Sequence, residues 1–145
     1  MAESILNSLA VNRGRFRAYS AGSHPAEHVN YFAFEQIRAA GLPAVGLAPK
    51  SWRDFTKPDA PHMHFVFTVC DIMDACPALP GNPIIAHWGV DDPAAVEGDE
   101  TEKRRAFSRV FIYLYNRINI FASLPLENLD RIGLKRRLDE IGSDR

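Results

Sequence analysis

The sequence is short of cysteine, of net charge and of long apolar runs. Its 145 residues hold only Cys70 and Cys76, too few for the disulfide framework of a small secreted domain, so a reducing cytoplasm is the expected compartment. Seventeen Lys+Arg stand against eighteen Asp+Glu, a net charge of −1. That balance leaves no footprint of a general nucleic-acid binder or a membrane-surface protein. The longest apolar run, Phe65-Val66-Phe67-Thr68-Val69-Cys70, has the length of a buried strand and falls well short of the roughly 18–20 residues that span a bilayer. The start, Met1-Ala2-Glu3-Ser4-Ile5-Leu6, lacks the basic residues and apolar centre of a signal peptide. Repeats and low-complexity tracts are missing too.

What is present suffices for one core. With 46% hydrophobic residues, a chain of this size buries about 70% of its unfolded surface, so residues 1–145 read as a single domain. Ala2 to Leu9 has a helical apolar face (Ile5, Leu6, Leu9), although nothing precedes Met1 to cap its first turn. Arg15 to Ser20 alternates and predicts a strand, broken by Ala21-Gly22-Ser23-His24-Pro25. Asn30 to Ala40 predicts a helix with Phe34, Ile37 and Arg38 on a half-buried face and Gly41 as its stop. Ser51 to Phe55 predicts a helical turn. Phe65–Cys70 and Ile84–Trp88 predict two more strands, with Asp71 to Asn82 as a loop between them.

A long helix is expected from about Thr101 to Leu124, opened by a capping-box-like Asp99 and Glu102 and stopped by Pro125. Phe107, Val110, Phe111, Leu114, Ile118 and Phe121 keep its 3.6-residue period. A last amphipathic helix, about 126–142, carries Leu129, Ile132, Leu134, Leu138 and Ile141. Strands separated by helices argue for an α/β domain with a parallel sheet.

Four segments in order, Met1–Leu6, Ala18–Pro25, Phe67–Asp71 with Cys76-Pro77, and His87–Pro93, together resemble the thiol-dependent arsenate reductases built on the low-molecular-weight tyrosine phosphatase fold. The resemblance runs from Met1 to about Gly142. It implies a three-layer α/β sandwich with a central parallel sheet and, here, an extra C-terminal helix. That family opens with a short strand and a phosphate-type loop, Cys-x5-Arg, ahead of the helix matching Met1–Leu6. Its thiolate is the nucleophile. No such loop occurs here: six residues after Cys70 stands Cys76, and six after Cys76 stands Asn82. The expectation is therefore an N-terminally truncated chain, its first strand and phosphate loop missing, inactive as written.

The resemblance further implies that Cys70 resolves the first arsenic–thiol adduct and that Cys76 carries the oxidation to the surface. An external reductant, thioredoxin or else glutathione or mycothiol with glutaredoxin, would receive it. Asp92 of Asp91-Asp92-Pro93 matches the family's general acid, and Asp-Pro equally favours a plain turn. A Cys70–Cys76 bond needs Cα atoms roughly 4.4–6.8 Å apart. Six helical steps span about 9 Å and six extended ones about 20 Å, so the segment has to fold back or rearrange. Glu3 and Ser20 fall where some members hold a monovalent cation, and Lys50 stands where those members have an acid. Its ammonium can substitute for the cation, so no potassium requirement and no bound cofactor are expected. The five histidines form no zinc-spaced cluster, and Lys135-Arg136-Arg137 reads as a solvated helix face.

The leading expectation is thus an arsenate reductase-type protein of arsenical resistance, acting on a small oxyanion. The alternatives are a low-molecular-weight protein tyrosine phosphatase, which Asp92 would also serve, and a non-catalytic binding or thiol-sensing protein.

Overall fold

Most elements form where the apolar periodicity places them. The computed structural model describes residues 1–9, 13–70 and 78–144. Its elements are α1 (Ala2–Ser8), α2 (Tyr31–Ala39), β1 (Phe65–Cys70), β2 (Ile84–Val90), α3 (Glu100–Ala122) and α4 (Arg131–Ser143). Single 3-10 turns lie at Trp52–Phe55, Pro93–Ala95 and Leu126–Asn128. The helix starts are capped as their side chains allow: Asn30 accepts from Phe32, Asp99 from Glu102 and Asp130 from Gly133. Met1 occupies the cap position of α1 and provides no side-chain cap.

The strands β1 and β2 lie side by side and parallel, with Phe65 opposite Ile84 and Thr68 opposite His87. On one sheet face, Phe65, Phe67 and Val69 join Ile84, Ala86 and Trp88 in the core. Ile85 and His87 point away from it and are exposed, as the two-residue period of a strand requires. Helix α3 lays Val110, Leu114, Ile118 and Phe121 into the same core, and Ile5 of α1 is fully buried there. Phe121 is its centre: its ring lies 4.8 Å from Phe16, 5.2 Å from Phe65 and 5.0 Å from Phe67, centroid to centroid. Helix α2 joins α3 through Phe32 on Phe107 and through Glu35, which accepts from Arg104 Nε at 2.9 Å.

Two expectations are corrected. Arg15 to Ser20 is not a strand, so the sheet has two strands among the described residues where three were expected. Among the described residues the segment pairs with neither strand of the sheet. Its Ala18 bonds instead to the Asn7 side chain, donating N–H to Oδ1 at 2.8 Å and accepting from Nδ2 at 3.1 Å. One amide thus satisfies both backbone groups that a neighbouring strand would take. Arg15 is drawn off to the end of α3, donating to the carbonyls of Ala122 and Leu124, both at 3.1 Å. A cation is favourable there.

The final helix also starts later than 126. Pro125 opens only a short turn, Leu129 is extended, and α4 begins after Asp130. This start puts Leu134, Leu138 and Ile141 inside, while Ile132, expected on the apolar face, is 82% exposed. Ile132 lies two residues from Leu134, about 200° around a helix, on the opposite side.

Helix α4 is part of the core and no mere appendage. Leu138 is fully buried, and its carbonyl accepts from Trp88 Nε1 at 2.9 Å. The approach is close enough that a Cβ on Gly142 would stand 2.6 Å from both the His87 carbonyl oxygen and Trp88 Cδ1. Gly142→Ala is therefore expected to cost about 1–3 kcal/mol through overpacking, read as a lower urea midpoint. Asp144→Ser, at an exposed position, is the control, with an effect near zero.

Candidate active site

In a parallel α/β sheet, ligands bind beyond the C-terminal ends of the strands. Two of the three expected site residues are found there. Cys70 ends β1 as an exposed free thiol, and its partner across the sheet is Val90, the last residue of β2. Asp92 follows two residues later on the loop leaving β2, so thiol and carboxylate leave adjacent strands at the same end. Cys76, the third, lies outside the described residues.

Asp92 has a local role as well. Its Oδ1 accepts from Ala94 N–H at 2.9 Å and caps the 3-10 turn that Pro93 opens. Both readings of Asp-Pro are thus compatible in one side chain. They separate experimentally: Asp92→Ala is expected to cost about 1 kcal/mol for the lost cap, whereas Asp92→Asn keeps an acceptor and the stability. Thermal unfolding of the two variants checks this.

Glu3, Ser20 and Lys50 come together although 47 residues separate the first from the last. Ser20 Oγ donates to Glu3 Oε2 at 2.5 Å, and Lys50 Nζ reaches the same oxygen at 3.4 Å while donating to the Ala48 carbonyl at 2.9 Å. The backbone holds this cluster in register: Gly22 N–H donates to the Lys50 carbonyl at 2.9 Å, and Trp52 N–H to the Gly22 carbonyl at 3.2 Å. The α-amino group of Met1 is half-buried nearby. Burial holds it below its ordinary value, with the Glu3 charge acting in the opposite direction.

Two further features were not anticipated. His87 bonds through Nδ1 to Thr68 Oγ1 at 2.6 Å across the exposed sheet face, a cross-strand pair that the spacing alone does not reveal. Arg117 is only 5% exposed on α3, and its Nη1 donates to the Trp88 carbonyl at 3.0 Å and lies 3.5 Å from that of Gly89. The signal was available: a charge at position 117 sits among Leu114, Ile118 and Phe121 on the helix's apolar face. No group of three or more His, Cys, Asp or Glu among the described residues is arranged to hold a metal ion. The basic run of α4 is partly paired on its own helix, Lys135 with Asp139 at 2.6 Å and Arg137 with Glu140 at 2.9 Å. No helix among the described residues is long and apolar enough to cross a membrane.

Fold and site together define an α/β protein with an exposed thiol and a carboxylate at the C-terminal end of a parallel strand pair. The chain matches no family-wide sequence profile. It is 38% identical over 109 residues to an arsenate reductase of Bacillus licheniformis, an alignment spanning 74% of this chain and 75% of that protein. An arsenate reductase of Shouchella clausii is 33% identical over 103 residues, covering 60% of this chain and 74% of its own length. That of Bacillus subtilis is 45% identical over 58 residues, 39% of this chain and 42% of the relative. The chain belongs to the arsenate reductase family.

Proposed function

We propose that the chain serves the reduction of arsenate to arsenite through a thiol/disulfide relay in which Cys70 and Cys76 are successive carriers. The observation that carries this reading is the exposed Cys70 thiol at the strand end shared with Asp92, in a chain whose relatives are arsenate reductases. A thiolate first displaces oxygen from arsenic(V), and the oxygen leaves as water with a proton from Asp92. The Cys70 thiolate then attacks that sulfur. The As–S electron pair passes to arsenic, arsenite departs, and a disulfide forms. Cys76 attacks the Cys70 sulfur, frees the first thiol and leaves a Cys70–Cys76 disulfide for an external thiol reductant, thioredoxin or glutathione or mycothiol with glutaredoxin. Two electrons leave two thiols and reach one arsenic, so the cycle balances.

The first thiolate is not among these 145 residues, which contain no Cys-x5-Arg. By themselves they are inactive toward arsenate, since two thiols without an oxyanion cradle do not make the site. The three-layer phosphatase-type sandwich, with a strand and phosphate loop ahead of α1, and a cytoplasmic location belong to the same reading.

The test joins a Cys-x5-Arg loop ahead of Met1 and supplies arsenate with each reductant, beside arylphosphate. Arsenate-dependent thiol consumption that falls in Asp92→Asn supports the proposal. Arylphosphate hydrolysis without thiol consumption replaces it with a tyrosine phosphatase. A folded protein that does neither leaves the binding or thiol-sensing reading.

We assign Lys50 the place of a monovalent cation beside Glu3 and Ser20. Its ammonium already satisfies the Glu3 carboxylate, so potassium is expected to leave the melting temperature unchanged at constant ionic strength. Lys50→Asp exchanges that ammonium for a second carboxylate, and its melting temperature is expected to rise with potassium but not with tetramethylammonium, by the mass action of a ligand that binds the folded state.

A further inference from the structure

The geometry points to Arg117 as a positioning residue: its buried guanidinium clamps a bulge in β2 that decides where Asp92 stands relative to Cys70. From Phe65 to Thr68 each β1 residue faces the residue 19 positions later, ending with Thr68 opposite His87, whereas Cys70 faces Val90, 20 positions later. Trp88 and Gly89 therefore share the place opposite Val69 alone, the two-against-one count of a bulge. The carbonyls that Arg117 approaches, at 3.0 and 3.5 Å, are those of the same two residues. In an unbulged ladder Gly89 would face Cys70, and Asp92 would lie three residues past that partner where it now lies two past. Because side chains alternate along a strand, that single step would also turn residues 90–92 to the opposite face. Both contacts are made by Nη1, whose two N–H bonds can address two neighbouring carbonyl oxygens from one rigid group.

The inference rests on reading Cys70 and Asp92 as a working pair, but its test reads register and not turnover, so failure of the two can be told apart. Cross-strand contacts in the NMR spectrum of the full 145-residue chain are compared with those of Arg117→Met and Arg117→Lys. In Arg117→Met the Thr68–His87 contact is expected to persist while the Cys70 contact moves from Val90 to Gly89. Lysine, keeping the charge and a donor, is expected to restore at least part of the Val90 contact. Arg117→Met with an unchanged Cys70–Val90 contact overturns the proposal.

A second comparison covers the case in which Arg117→Met does not fold. Deleting Gly89 removes the extra residue, so in that background Arg117→Met is expected to leave the urea midpoint almost unshifted. If its effect is as large without Gly89 as with it, or if the double variant is unfolded as well, Arg117 does not act through the bulge.

Discussion

Phe121→Ala is expected to lose about 3–5 kcal/mol of stability, the range for truncating a buried phenylalanine. Against the 5–15 kcal/mol that ordinarily holds a domain together, that loss removes at least about a fifth of the stability. The ring is 1% exposed and meets Phe16, Phe65, Phe67 and Trp88. These neighbours belong to the segment 15–20 and to both strands, while Phe121 itself belongs to α3. Hydrogen-bonded strands and a 23-residue helix cannot close over the vacated volume without giving up their own bonds, so the cavity stays open. Urea unfolding measures the loss, with Ile132→Ala as the control: at 82% exposure its effect should stay within about 0.5 kcal/mol. A Phe121→Ala midpoint equal to that of the control would mean that the aromatic cluster is not the core.

The second large effect concerns thiol chemistry. With a Cys-x5-Arg loop joined ahead of Met1, Cys70→Ser is expected to abolish multiple-turnover arsenate reduction. A hydroxyl at position 70 cannot attack the arsenic-bound sulfur and accept oxidation, so the reaction stops at the first adduct. Cys76→Ser is expected to act one step later, trapping a disulfide between Cys70 and the loop cysteine, visible in the intact mass before and after reductant. Serine is nearly isosteric and Cys70 is exposed, so neither stability nor folding should change. Full turnover in Cys70→Ser would remove Cys70 from the mechanism.

Much of this protein was legible before its structure. Phe107, Val110, Leu114, Ile118 and Phe121 repeat with a helical period, and α3 buries that set. Asp99, Asn30 and Gly41 mark helix ends through local backbone bonding, which a sequence shows directly. Cys70, Asp92 and the Glu3–Ser20–Lys50 set were found through a family resemblance, not through periodicity. Spacing alone does not distinguish a relay thiol from an ordinary one, or a catalytic aspartate from a turn cap.

Sequence by itself determined the apolar face of α3, the approximate bounds of α2 and α3, and that neither cysteine opens a phosphate loop, because each follows from residues within a few positions of one another. Tertiary structure decided the rest. Whether Arg15–Ser20 becomes a strand depends on what lies beside it, and Asn7 supplies the partner for Ala18 instead. Whether a charge at 117 is solvated or buried depends on the carbonyls of Trp88 and Gly89, 29 and 28 residues away. Whether α4 is an appendage or part of the core depends on Gly142 having no side chain where β2 passes. Each of these outcomes is set by a contact between distant segments, which the spacing of neighbouring residues does not reveal.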